Sequence, residues 1–403
     1  MNQLVHGFQW PRTFVLILTL AFMLIILAPQ PSHATNTPLT KLWQIGGDSE
    51  DPNQLFGVII DLALDHDGYA YVVDQQLGRI SLFAPDGTFV RTIGRQGDGP
   101  GEFRRPYRVF ISPANEACVL SGMGRRIDRF NRNGEFLGSQ AIPADSSGIV
   151  PRINDVKTAD GAMVFLSVIR ENSELVLPGE RTTIRRLHAR DNTLQEVARY
   201  HDDSDTGDDA RPVWSERPRA LRDRWDVGPD QRVYVATSFN DYEVTVFAPD
   251  GTVDQVLTRD YDHRQRSKQE KQAVLDWATV NPNGNLPGTT YEIEDHDKDI
   301  MALHCRDDGS LWVLTSRGFY DRPEGSLGVF DVFDGEGQYV GEQNLMGDGD
   351  PARDRYYFHG DHLYVVTCFK AAIATMVGAR EDNRFSAACE EPMSVICNRL
   401  GAD

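Results

Sequence analysis

Short β-rich runs recur six times along the chain, at 71–74, 118–121, 164–167, 234–237, 312–315 and 364–367. Each is apolar almost throughout and ends on a small polar residue: Asp74, Ser121, Ser167, Thr237, Thr315 and Thr367. Most follow a turn dipeptide such as Asp67-Gly68, Asp160-Gly161 or Asp308-Gly309. A second marker is the hexapeptide Phe83-Ala84-Pro85-Asp86-Gly87-Thr88, which returns unchanged as Phe247-Ala248-Pro249-Asp250-Gly251-Thr252, with looser copies at 130–136 and 333–339. A strand end, a Gly-bearing turn and a new strand make a hairpin signature. In the first unit four strands are legible, at 60–65, 69–74, 79–85 and 89–94. The shorter spacings fit a four-stranded unit of about 40–50 residues, and the longer ones hold insertions.

The apolar runs are continuous rather than alternating, so each sheet must bury both faces against neighbours. Six such units arranged radially form an all-β, six-bladed β-propeller. The segment 42–47 followed by 51–56 parallels 90–95 followed by 99–103, so the chain opens on a fourth strand that lacks the preceding three. That strand is expected to complete the sixth blade by pairing with the late strands, which removes an exposed sheet edge. The alternative is that Trp43 and Ile45 only cap the core. The propeller is thus expected to span 38–385, with a tail at 386–403.

Gly94-Arg95-Gln96-Gly97-Asp98-Gly99-Pro100-Gly101-Glu102-Phe103, together with Val72-Val73-Asp74, Arg79-Ile80 and Phe83, resembles an NHL-type repeat. On these residues the chain resembles bacterial secreted six-bladed propeller proteins with NHL-like repeats, over roughly 40–380. The repeat's Asp stands at Asp74 and is replaced by Ser or Thr in the other units.

Two insertions interrupt the units. Residues 201–226 begin with the acidic run His201-Asp202-Asp203-Ser204-Asp205-Thr206-Gly207-Asp208-Asp209. Residues 262–298, between the fourth and fifth blades, open with an expected helix over 265–280, because Ala273, Val274, Trp277 and Ala278 have helical spacing. Pro282, Gly284, Pro287 and Gly288 then stop it.

The N-terminal segment is of another kind. Residues 14–28 are apolar except for Thr19, follow the single charge of Arg12 and precede Pro29, Pro31 and Ser32-His33-Ala34. This pattern reads as a signal peptide over 1–34, with retention as an N-terminal membrane anchor the alternative; a spanning helix needs about 20 apolar residues. The rest is then periplasmic or secreted, free or tethered.

Composition narrows the chemistry. The 403 residues carry 41 Lys and Arg against 60 Asp and Glu, a formal charge of −19, which argues against nucleic acid as a partner. The acid excess is expected on a solvated rim, concentrated in 202–209, 294–299 and 348–350. Five cysteines are too few for a disulfide scaffold. Cys389 and Cys397 are the pair expected to bridge in an oxidising compartment, while Cys118, Cys305 and Cys368 lie in β-runs and read as small buried hydrophobes.

First strands converge on a propeller's channel, so their residues are the candidate site. Aligning the units places Asp61, Arg108, Asn154, Arg224, Ala302 and Asp354 at one equivalent height. Two positions on stand Ala63, Phe110, Val156, Asp226, His304 and Tyr356. The polar members can form a self-satisfied network or bind a small polar or acidic ligand, with Arg108 and Arg224 as anion partners. Lactonase-like propellers of the gluconolactonase and paraoxonase types hold one calcium with Glu, Asn and Asp oxygens; Asn154 and several Asp residues fit, but a full ligand set is not matched. His304 and His359 are too few for zinc with three protein ligands. Asp203-x-Asp205-x-Gly207 opens like a calcium loop but lacks the closing Glu. The function expected from these residues is a non-catalytic binding module for an unknown small ligand or protein partner. No cofactor is expected; the alternative is a channel-sited, divalent-cation-dependent hydrolase or lyase of the lactonase-like type, for which calcium is the candidate cation.

Overall fold

The computed structural model describes residues 34–401, apart from 123, 146–147, 149, 160–161, 171–179, 189–192, 202–212, 216–220, 222, 281–288, 377–388 and 390. The apolar segment at 14–28 and the acidic run at 202–209 therefore lie outside the described residues. No helix among the described residues is long and apolar enough to cross a membrane.

Runs of five or six β-branched and aromatic residues between Gly turns are too short for helices, and they pair as antiparallel strands. The chain opens with β1 (Thr35–Gly46). A four-stranded sheet follows, β2 (Ile59–Leu64), β3 (Ala70–Asp74), β4 (Arg79–Phe83) and β5 (Phe89–Ile93), in sequential order. These are the strands read from the first unit, shifted by a residue or two at their ends. The next sheet has β6 (Arg108–Ile111), β7 (Ala117–Ser121), β8 (Arg126–Phe130) and β9 (Phe136–Ala141). A third has β10 (Arg152–Ala159), β11 (Ala162–Arg170), β12 (Glu180–His188) and β13 (Thr193–His201). After β14 (Val213–Ser215) comes a sheet of β15 (Trp225–Val227), β16 (Val233–Val235), β17 (Glu243–Phe247) and β18 (Val253–Thr258). Helix α1 (Lys268–Val280) and β19 (Thr290–Glu292) follow, and β19 pairs in parallel with β14. Then come β20 (Ile300–Cys305), β21 (Leu311–Thr315), the short helix α2 (Ser316–Tyr320), β22 (Ser326–Phe333) and β23 (Tyr339–Met346). The last strands are β24 (Arg355–His359), β25 (His362–Val366) and β26 (Ser394–Leu400), with α3 (Phe369–Met376) before β26.

The chain is an all-β propeller: each sheet stacks on the next through a shared apolar layer. Ile60, Tyr71 and Val73 pack with Val109, Val119 and Phe130 between the first two sheets. At the other end of the chain Tyr364, Val366 and Val395 pack on Ile59, Leu62 and Val72. β1 pairs antiparallel with β26 along Leu39–Gly46, while Thr35–Pro38 runs parallel to β23. One opening strand thus ties the two last sheets together, and Trp43 reaches the first, its Nε1 donating to the Pro85 carbonyl at 2.8 Å.

Asp74 and the Gly94–Phe103 loop hold the turns of the first unit. Asp74 is buried, and its carboxylate accepts from the amides of Gly57 and Leu77 at 2.8 and 2.9 Å. In the Gly94–Phe103 loop Glu102 accepts from the Gly99 amide at 2.9 Å and from Arg95 Nε at 2.8 Å. The loop delivers Phe103, fully buried, against Phe130 of the next sheet. Gly94 has φ +67°, and a Cβ there would stand 2.1 Å from the Phe103 ring. The motif therefore packs neighbouring sheets together.

Two expectations are corrected here. The insertion helix begins at Lys268 and not at Gln265, because Ser267 and Glu270 form a capping box: the Ser267 amide donates to Glu270 Oε2 at 2.7 Å and the Glu270 amide to Ser267 Oγ at 3.2 Å. Its Val274 and Ala278 are the buried residues, facing Trp277, Tyr291 and Ile293. The disulfide joins Cys368 to Cys389, with Cα atoms 5.7 Å apart, and not Cys389 to Cys397. Cys397 is central in β26, opposite Tyr364 and Trp43, and its thiol is buried in the core. Cys368 lies just past the end of β25, where the segment entering β26 passes. It is thus cross-linked rather than a small hydrophobe.

Candidate functional site

The inner strands decide which side chains face the channel, and three of them carry a bulge near their start. Register shifts fall between Ile59 and Asp61, Ile153 and Asp155, and Ile300 and Ala302. A bulge inserts one residue and moves every later side chain of the strand to the other face. Cross-strand pairing then defines the equivalent positions. Asp61 lies opposite Val73, Arg108 opposite Leu120, Asp155 opposite Leu166, Ala302 opposite Leu314 and Arg355 opposite Val366. Arg224 takes this place in the fourth sheet, its carbonyl accepting from the Ala236 amide at 2.9 Å.

The structure therefore brings Asp61, Arg108, Asp226 and His304 to the channel, displaces Asn154 and Asp354, and keeps Arg224 at its position with its side chain turned into the fold. Asn154 is the bulge residue of β10, and Asp155 stands in its place. Asp354 precedes β24 as a buried turn organiser, accepting from the Cys368 amide at 3.0 Å, the Asp350 amide at 2.8 Å and Arg353 Nε at 3.0 Å; Arg355 takes the channel position. Arg224 is fully buried, with its guanidinium donating to the Ser238 carbonyl, and so serves the loop after β16. Two positions further on, Lys157 and Tyr357 replace Val156 and Tyr356.

These groups form a chain of contacts across the inner strands. The Tyr357 hydroxyl donates to Asp61 Oδ1 at 2.9 Å, and Asp61 Oδ2 accepts from the Val109 amide at 2.9 Å. Arg108 Nε donates to Asp155 Oδ1 at 2.9 Å. Lys157 Nζ stands 3.4 Å from Asp226 Oδ1, and Asp226 Oδ2 accepts from the Cys305 amide at 2.9 Å. Each carboxylate is thus held by a cation or by the amide of the next sheet.

The charges shape one another. Burial disfavours the Arg355 charge, but Tyr357, Asp223, Asp61 and Asp155 outweigh it and hold its pKa above the ordinary value. Burial likewise opposes ionisation of Asp155, yet Arg108 and Lys157 bring its carboxyl below the ordinary range. Burial lowers Lys157, but Asp226 and Asp155 raise it further, so it stays cationic. His304 packs edge-on against Phe330 and Phe358 at 6.0 and 5.0 Å. Burial, then the field of Lys157, pushes it down to about 3, so it is a neutral imidazole at neutral pH. Asp223 is exposed, and Lys370 of α3 feels its charge. Lys157 is more accessible than the pair beside it, its side chain 35% exposed while Arg108 and Asp155 are 11% and 12% exposed. Such a site can hold an anionic or polar group against Lys157 and Arg355, with Asp226 and neutral His304 as further hydrogen-bonding partners.

A family model described as a 6-bladed beta-propeller matches residues 53–158. No curated protein matches the chain. Among solved structures the chain is similar to a member of the DUF4221 family from Bacteroides vulgatus, with TM-score 0.52 and 10% identity over 91% of this chain and 99% of that one. It is also similar to a calcium-binding regucalcin from Agrobacterium tumefaciens, with TM-score 0.45 and 11% identity over 91% of this chain and 96% of that one. A gluconolactonase from Xanthomonas campestris has TM-score 0.43 and 14% identity over 93% of this chain and 99% of that one. At these identities the likeness is one of fold.

Proposed function

We propose that the chain is an extracytoplasmic six-bladed propeller, closed into a ring by β1, whose channel mouth binds a small acidic or polar ligand without transforming it. Closure is supported by the apolar layer shared between the last sheet and the first. An extracytoplasmic location is supported by the apolar segment at 14–28 and the cleavage-like Ser32-His33-Ala34. The observation that carries the binding reading is Lys157, a cation left accessible among deeply placed groups and flanked by Arg108 and Arg355. The channel carboxylates favour binding over metal-assisted hydrolysis, because Asp61, Asp155 and Asp226 are already held by a hydroxyl, cations and backbone amides that a calcium would have to displace.

The experiment is a calorimetric and thermal-shift screen of the full chain against small mono- and dicarboxylates and acidic sugars. Binding that disappears in Lys157→Met and Arg355→Met supports the reading. Calcium-dependent ring opening of aldonolactones, lost in Asp61→Asn, would replace it with the lactonase-like alternative.

A further inference from the structure

Outside the channel, the insertion between the fourth and fifth sheets carries a compact cluster of its own. Residues 261–266 leave the propeller and 294–299 return to it, and the two segments run antiparallel. The Arg266 amide donates to the Asp295 carbonyl at 2.9 Å and the Asp297 amide to the Arg264 carbonyl at 3.0 Å, around a bridge between Gln265 and His296. Asp297, 2% exposed, locks this clasp by accepting from Arg264 Nη1 and Arg266 Nε at 2.7 Å each. Three metal-binding side chains project from it. His263 and His296 stack with ring centroids 4.6 Å apart and planes 18° from parallel. Asp299, fully buried at the start of β20, has Oδ1 2.8 Å from His263 Nδ1. The ligand atoms of the three all lie within 4.8 Å of one another.

Two details suit the cluster to a cation. Asp299 Oδ2 is buried with no hydrogen-bond partner, an arrangement that leaves a carboxylate oxygen uncompensated. His296 Nδ1 lies 3.0 Å from the Asp297 carbonyl, which can only accept, so this nitrogen carries the proton and Nε2 keeps its lone pair for a ligand. The backbone of Asp299 is anchored independently, its amide to Phe239 and its carbonyl to Ser316.

We propose that His263, His296 and Asp299 bind one zinc ion, with the remaining coordination position open to solvent beside the half-exposed His263, and that the metal staples the insertion to the start of β20. Two imidazoles and one carboxylate suit zinc, which accepts four ligands of this kind. Calcium wants six to eight oxygens and finds one carboxylate here.

The test uses the full chain, stripped with a chelator and titrated with zinc chloride alone and, separately, calcium chloride alone. Binding is read by calorimetry and by metal content after desalting. The expected result is one zinc per chain, a zinc-dependent rise in the unfolding temperature, and at least tenfold weaker binding in His263→Gln and in His296→Gln. Both replacements keep polar side chains on the half-buried clasp, so the variants stay folded even if Asp299→Asn does not. Substoichiometric zinc, undiminished affinity in the His263→Gln/His296→Gln double variant, or a preference for calcium would each overturn the proposal.

Discussion

Arg108 and Asp155 show what a single side chain contributes at the channel. They pair at 2.9 Å with each side chain about one-tenth exposed. Removing one member leaves the other's charge little solvated and unpaired, a loss of about 3 kcal/mol. Arg108→Met is expected to lower stability by that order in urea unfolding, and adding Asp155→Leu should recover much of it, because the stranded charge goes too. The pair also sets an acid limit. Asp155's folded pKa is depressed, so its contribution is complete above the unfolded carboxylate value of about 4 and fades as pH falls through the lower folded value. In Arg108→Met the folded pKa rises towards the unfolded value, so this acid-dependent loss should shrink. His304 acts in the range above. Burial holds it neutral down to about 3, whereas in the unfolded chain it protonates near 6.5. Over that window the unfolded state binds the extra proton, so stability falls as pH falls, by at most about 1.4 kcal/mol per pH unit. Unfolding measured from pH 7 to 4 should give a shallower slope in His304→Gln than in the parent chain.

Among the elements, β1 and the segment between β25 and β26 are the most informative. Trp43 of β1 meets Tyr364 edge-on at 5.8 Å and bonds the Pro85 carbonyl of the first sheet. Trp43→Ala removes a partly buried ring from a three-way contact, and a loss of about 2–3 kcal/mol is expected from thermal unfolding. The Cys368–Cys389 bridge closes a loop of 21 residues before β26. Its reduction is expected to cost about 3 kcal/mol, seen as a fall in unfolding temperature with dithiothreitol that the Cys368→Ala/Cys389→Ala variant does not show. The start of the insertion helix and the partner of Cys389 escape a reading of the sequence for one reason: local apolar spacing locates an element but does not say which polar side chain will cap it or which thiol the returning chain will meet.

For the molecule as a whole, the shared apolar layers make each sheet depend on its neighbours, and the proposed closure extends this from the last sheet to the first. Deleting residues 35–46 should therefore lower the midpoint of a single cooperative transition for the entire domain. Loss of only the last sheet's signal, with an unchanged main transition, would refute closure by β1. The acidic balance is also distributed differently from expectation. Asp297 and Asp299, placed on a solvated rim from sequence alone, are buried at 2% and 0% exposure, held by Arg264, Arg266 and His263. An acidic run in sequence became an internal clasp because the basic residues that meet it lie some thirty positions earlier, across a helix.

The sequence by itself determined where the strands and turns fall, and hence the repeated four-stranded unit, because short continuous apolar runs and Gly turns act over a few residues. It also placed Asp61, Arg108, Asp226 and His304 on inner strands. Only the tertiary structure decided that Asp155, Lys157, Arg355 and Tyr357 line the channel in place of Asn154, Val156, Asp354 and Tyr356. In β10 that choice turns on a bulge, which adds one residue without disturbing the apolar pattern; before β24 it turns on a buried turn that draws Asp354 out of the strand. The side chain presented to the channel is therefore set by pairing with a neighbouring strand, a long-range fact that no local pattern carries.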